Sequence, residues 1–380
     1  MLEKIKTINL QEGTFVVCSA NGFASLPEKL ANHQISSKAD ISAILQLNIT
    51  EVLIDSEKSK IKHSFPQTTY SEEILFAREA YNNALGCVQK IFETVEQDGA
   101  LEVSEYKKEV SPLIDSIDRN NCAAASLTVL ARADRYLHTH SLNTAILSAI
   151  LGCYIGLSRE AVEELSISAM LMNIGQLWLP AQLLNKKGKL NKTEFQQIKI
   201  HTLKGSEYLA TQETPQCIID SVKYHHEKYD GTGYPQGLSG NDIPQFSRII
   251  SICDSYDALT SDRPFREALT PNAAIKRLYS MASSSFHPRY LENFIKCVGI
   301  YPVGCFVKLS DGRYGVVVTN TPKAPLLPQV KIVFSSRFRA IHPEFVDLSK
   351  RSEATQGNDL EIVECIHPKT FKLELDRFLW

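Results

Sequence analysis

Residues 224–235 read Tyr-His-His-Glu-Lys-Tyr-Asp-Gly-Thr-Gly-Tyr-Pro. Two adjacent histidines at a helix end can both reach one divalent metal, because neutral imidazole is a good donor to iron, manganese or zinc. Glu227 and Asp230 stand where a carboxylate can orient those imidazoles or hold the loop that follows. Gly231 and Gly233 allow backbone conformations closed to other residues, so the chain can fold back over a site. Tyr234 and Pro235 complete the string. The histidine pair alone would fit a capped helix end with two surface histidines; the full string asks for more.

The flanks of this string pattern as helix. Asn120–Tyr154 carries Leu127, Leu130, Leu137, Leu142, Ile146 and Ala149 near helical spacing. Ser158 caps Arg159–Leu171. Asn191 with Glu194 makes a capping-box pattern for a helix through His201 to about Ala210. Thr270-Pro271 is a cap followed by proline at the first helical position. Residues 120–297 therefore read as mostly helical, interrupted by a Gly- and Pro-rich loop at Asp230–Pro244. Upstream, Ser71 is the expected N-cap, with Glu72 and Glu73 in the first turn, of a helix to about Gln97.

The two ends read differently. Lys4–Leu10 and Thr14–Ser19 can be short strands around the turn at Glu12-Gly13. Ser37 can cap a helix to Leu47, with Asp40 at the third position of a capping box, and Glu51–Ile54 is a β-branched strand. Polar Asp55–Thr69 reads as a linker. From Gly304, Cys305–Leu309, Tyr314–Thr319, Val330–Phe334 and Glu361–Val363 read as strands, and Asp311-Gly312 as a hairpin turn. The expected fold class is mostly α. An α/β module (1–68), a helical linker region (69–119) and a helical domain (120–299) precede a β-rich C-terminal tail (300–380).

Composition narrows the partners. Net charge is −2, so no broad basic face is implied and nucleic acid is a poor partner. No run of about 18 apolar residues is present, so no membrane span is expected. The start, MLEKIKTINLQEG, lacks an apolar signal core. The 9 cysteines form no CxxC pair and read as reduced, mostly buried thiols, which points to a cytoplasmic protein.

HHEKYDGTGYP (His225–Pro235) resembles the signature HHExxDGxGYP of the HD-GYP cyclic di-GMP phosphodiesterases, a bacterial signalling family of HD phosphohydrolases. Further on, the string from Asp254 to Arg266, Asp-Ser-Tyr-Asp-Ala-Leu-Thr-Ser-Asp-Arg-Pro-Phe-Arg, resembles the second family string, DxxDALTSxRPYR. The likeness covers Asn120 to Gly299; the first 55 residues and the tail around Val307–Val318 also resemble segments seen beside such domains. The resemblance implies an HD-type helical bundle that holds two or three metals. Carried over residue by residue, the ligands are His201, His225 and His226, with His140 and Asp254 as further candidates. Tyr136 stands where some members carry an extra glutamate, which argues against a third metal. His138, two residues before His140, points elsewhere on its helix and reads as a surface residue. Arg263 and Arg266 either contact ligand phosphates or pair with carboxylates such as Asp257 or Asp262.

The resemblance fails at one place. Where the family has HDxGK, this chain has Met172-Asn173-Ile174-Gly175-Gln176. Asn173 is neutral and offers one weak acceptor, so it cannot bridge two cations as an aspartate does. The thioether of Met172 is a poor match to iron(II) or manganese. Gln176 removes a positive charge that would steady a phosphate. His140 and Asp254 are then too few for one site, while three histidines can hold one metal with open positions. The expected cofactor is one divalent metal, iron or manganese, at reduced occupancy, or none. The expected function is a degenerate regulatory protein of cyclic di-GMP signalling, catalytically weak or inactive, with no catalytic residue assigned. Its candidate partners are cyclic di-GMP, a signalling protein such as a diguanylate cyclase, and a second copy of the chain. The alternatives are an active metal-dependent phosphodiesterase and a protein-interaction scaffold that binds no nucleotide.

Overall fold

The structure, a computed structural model, describes residues 2–380 apart from 8–9, 11, 20–25, 28, 48, 56–67, 131–135, 187, 263–265, 283, 321–323, 351–359, 372–377 and 379–380. Most of the segment expected to be a linker, Asp55–Thr69, lies outside the described residues.

The N-terminal module is a sheet of β1 (Leu2–Lys6), β2 (Phe15–Ser19), β3 (His33–Gln34) and β4 (Glu51–Asp55), with α1 (Lys38–Gln46) leading into β4. The strands read on either side of Glu12-Gly13 do not pair with each other. The order is β1-β4-β2-β3, so β4 separates them. Strand β4 buries Val52 and Ile54 in alternation and pairs along both edges, as a central strand does. Helix α1 starts as its sequence predicts, with the Asp40 carboxylate accepting from the Ser37 N–H at 2.9 Å.

The middle of the chain is a bundle of α2 (Tyr70–Glu96), α3 (Tyr106–Leu130), α4 (Tyr136–Tyr154), α5 (Arg159–Leu171), α6 (Ala181–Leu184), α7 (Lys192–Ala210), α8 (Gln216–Tyr224), α9 (Gln245–Thr260), α10 (Pro271–Tyr279) and α11 (Pro288–Val298). Helix α2 is capped by Thr69 rather than Ser71. A capping box needs an acid three residues after the cap. Thr69 has Glu72 there, and the carboxylate accepts from the Thr69 N–H at 2.8 Å, whereas Ser71 would meet Ile74. Asn120 breaks the helical run at its start: its backbone is extended (φ −161°, ψ 96°), and its side chain donates to Thr68 O at 2.9 Å and accepts from Cys122 N at 3.1 Å.

Residues 69–119 are more than a linker. Ile74, Ala77, Tyr81, Ala84, Val88, Ile91 and Val95 recur at helical spacing and pack into the same core as α4, α5 and α9. Glu73, buried beneath this face, accepts two bonds from Arg119 of α3 at 2.8 Å each. Helix α4 runs through the centre, and every residue from His138 to Gly152 is buried. A side chain on α4 therefore faces another helix whichever way it points. Among the described residues, no helix is long and apolar enough to cross a membrane.

The tail is an antiparallel sheet of β5 (Phe306–Leu309), β6 (Tyr314–Thr319), β7 (Gln329–Phe334), β8 (Ala340–Asp347) and β9 (Ile362–Ile366), ordered β8-β7-β6-β5-β9. Gly312 turns the β5–β6 hairpin at φ +85° and donates to Leu309 O. The sequence reading gives no strand at β8. This edge strand contains Pro343, is mostly exposed and shows no alternation, so it is held by backbone pairing with β7.

Candidate functional site

His201 sits in the middle of α7, and His225 and His226 follow α8. His201 donates from Nδ1 to Ile198 O at 2.7 Å, and His225 donates from Nδ1 to Val222 O at 2.8 Å. Each bond holds the proton on Nδ1 and leaves Nε2 with a free lone pair. The two Nε2 atoms face each other at 3.4 Å. Two nitrogens bound at about 2.1 Å to one tetrahedral ion also lie about 3.4 Å apart. A donor atom of His226 joins them, all three lying within 4.8 Å of one another. Burial lowers all three imidazole pKa values, that of His201 to about 4, so the rings are neutral donors. The residues present fit one divalent ion.

Two glycines make this convergence possible. A Cβ on Gly175 would lie 1.9 Å from His201 O, so only glycine lets the 172–178 turn press against α7. A Cβ on Gly233 would lie 2.3 Å from Lys228 N, where the signature loop folds back on itself. Glu227 and Asp230 hold that loop; neither orients an imidazole. Buried Glu227 accepts from Gln236 N at 2.7 Å and Gly237 N at 3.0 Å. Exposed Asp230 accepts from the N–H and hydroxyl of Thr232 at 2.9 and 2.7 Å. Gly231 adopts φ +80° between them. Tyr234 N donates to His226 O, and the Tyr234 ring lies 4.9 Å from the His226 ring.

His140 and Asp254 meet each other. Buried His140 donates from Nε2 to Asp254 at 2.8 Å and from Nδ1 to Asp257 at 2.7 Å. Burial alone would lower the His140 pKa, but the two carboxylates outweigh it and raise it to about 9. Burial would likewise raise Asp254, yet its bond to His140 holds it well below the usual carboxylate range. Asn143 extends the network, donating to Asp257 at 2.8 Å and accepting from the Tyr81 hydroxyl at 3.2 Å. Tyr136 stacks on His140, with centroids 5.1 Å apart and planes at 13°. The negative charge of Asp254 opposes the effect of burial at His201, His225 and His226 without overturning it.

One expectation needs correction. His138 turns away from His140 as expected, but it is buried, its ring 4.9 Å from Phe92, because α2 covers that side of α4. Asp257 is engaged by His140 and Asn143, and Arg266 donates to Ala258 O. Arg263 lies outside the described residues.

The altered centre is closed. Met172 is fully buried in the core. Asn173 is buried too, and its Oδ1 accepts from Gln176 Nε2 at 2.7 Å. Asp257, Asn143 and Tyr81 were missed as site residues. Only Asp257 left a sequence signal, standing three residues after Asp254 on one helix.

The fold and the convergent histidines define an HD-type helical bundle with a candidate metal site. Matching families agree: the HD domain matches residues 128–289, a KOW domain associated with HD domain matches 306–374, and a domain of unknown function matches 2–106. The chain belongs to the HD-GYP family of HD domain proteins. It is 30% identical over 375 residues to "Cyclic di-GMP phosphodiesterase PA4108" of Pseudomonas aeruginosa, covering 93% of this chain and 90% of the relative. It is 37% identical over 144 residues to "Cyclic di-GMP phosphodiesterase response regulator RpfG" of Xanthomonas campestris pv. campestris, covering 37% and 38%. A solved structure, of Bd1817, a HDG"Y"P protein from Bdellovibrio bacteriovorus, superposes with a TM-score of 0.48 at 18% identity, covering 77% of this chain and 98% of that one.

Proposed function

We propose that this chain binds cyclic di-GMP as a regulatory member of its family, holds one divalent ion on His201, His225 and His226, and hydrolyses little or no phosphodiester. The observation that carries this reading is the bond from Gln176 to Asn173. It occupies the carbonyl oxygen that stands where a bridging carboxylate is needed. Met172 adds no ligand, being core. His140 and Asp254 satisfy each other, so a second ion would have to break a buried ion pair to enter. Iron(II) or manganese suits the remaining imidazole set, and the bound ion supplies a positive centre for a phosphate oxygen. The chain's own contribution is to hold three neutral imidazoles convergent under the signature loop. Loss of one preorganised donor costs roughly 10²–10³ in rate, and here a bridging carboxylate and a cation are both gone. The relatives, which are named for acting on cyclic di-GMP, support that choice of ligand.

A second reading, residual phosphodiesterase activity, draws support from His140 and Asp254, two of the family's ligand positions that this chain keeps and that meet at 2.8 Å. Purified protein loaded with manganese(II) and given cyclic di-GMP separates the two. The expected result is binding, with linear product no faster than from His226→Ala. Product well above that control would overturn the regulatory reading.

A further inference from the structure

Gln176 is neutral where the family string carries a lysine, and a cation stands on α7 beside the signature loop. The Lys199 ammonium lies 5.0 Å from the Phe195 ring centroid and 5.0 Å from that of Tyr234. The Tyr234 ring in turn lies against His226. Two lysines of this region are paired, Lys186 with Glu194 at 2.6 Å and Lys204 with Glu207 at 3.6 Å. Half-buried Lys199 has no carboxylate within ion-pair reach among the described residues, and its contacts are the two rings.

A cation fixed by two aromatic faces is positioned without being discharged. Its three N–H donors remain free for an anion. Phe195 stands edge-on to Tyr234, at 6.3 Å and 83°, and is 44% exposed. An open ring beside a cation suits a ligand with both a phosphate and a base, since bases stack on aromatic side chains. We infer that Lys199, held between Phe195 and Tyr234, takes a phosphate of the bound dinucleotide in place of the charge absent at Gln176, and that Phe195 provides a stacking face for one of its bases. This rests on the proposed binding of cyclic di-GMP, and it adds residues outside both signature strings.

The test is calorimetry of the manganese-loaded full chain with cyclic di-GMP, for wild type, Lys199→Met, Lys199→Arg and Phe195→Leu, with manganese content measured on each sample. Lys199→Met should weaken binding by about tenfold or more, the loss expected for a charge-assisted hydrogen bond, and should flatten its salt dependence. Lys199→Arg should stay within about threefold of wild type, and Phe195→Leu should lose about fivefold or more. Unchanged manganese content and thermal midpoints would show the triad and fold intact. Wild-type binding with Lys199→Met equal to it overturns the subsite alone. No binding by wild type at high micromolar ligand overturns the cyclic di-GMP reading and the subsite with it.

Discussion

Gln176 donates its side-chain amide to Asn173 Oδ1 across 2.7 Å, and both residues stand where the family string HDxGK places charged ones. Two neutral groups replace a cation and an anion and satisfy each other. The altered centre is therefore internally consistent: the Asn173 carbonyl and the Gln176 amide meet each other's hydrogen-bonding need.

Asn173→Asp should disturb that balance. It buries a carboxylate opposite a neutral amide, at a site almost closed to water. Stability without metal should fall by about 1–3 kcal/mol, read as a shift of the urea midpoint. Manganese(II) should restore more of the midpoint in this variant than in wild type.

His140→Ala and His225→Ala should separate the two halves of the site. His225→Ala removes a triad donor and should abolish manganese retention after gel filtration. His140→Ala should leave manganese bound. It should nevertheless destabilise the fold by about 3–5 kcal/mol, because Asp254 and Asp257 lose their shared buried partner. Metal content and urea unfolding on the same preparations give both readings.

The triad was legible in the sequence because its histidines sit in or beside recognisable strings. The capping boxes at Asp40 and Glu194 were legible for a similar reason, since a cap and its acid lie three residues apart. What was not legible depends on distant partners. Tyr81 reaches Asn143 across 62 positions, and no local pattern announces such a bond. His138 was misread because helical geometry gives its direction, while its burial depends on α2 packing over α4. Strand β8 escaped because an exposed edge strand needs no alternation.

Two glycines offer a matched comparison. Gly175→Ala puts a methyl group 1.9 Å from His201 O, and backbone must move to admit it. It should cost about 2 kcal/mol or more and lower manganese affinity, because His201 moves with it. Gly86 in α2 meets nothing within 4 Å, so Gly86→Ala should stabilise by about 0.5–1 kcal/mol. Thermal melts of the two variants should shift in opposite directions.

The Glu73–Arg119 pair gives a pH signature. Burial would raise the Glu73 pKa, but the bonds from Arg119 prevail and lower it from its ordinary 4.5. A carboxylate whose folded pKa lies below its unfolded one adds stability above the unfolded value, and that stability fades as pH falls through the folded value. The stability gap between wild type and Glu73→Gln should therefore be full at pH 7 and shrink below about pH 4.5. Urea midpoints across that range measure it, and a constant gap would refute the assignment.

The most direct test of the account is the manganese stoichiometry of the purified full chain, measured after saturation and desalting. Three convergent histidines beside a closed Asn173–Gln176 pair predict close to one ion per chain, lost in His225→Ala and kept in His140→Ala. Two ions per wild-type chain would contradict it, as would a wild-type chain that retains none.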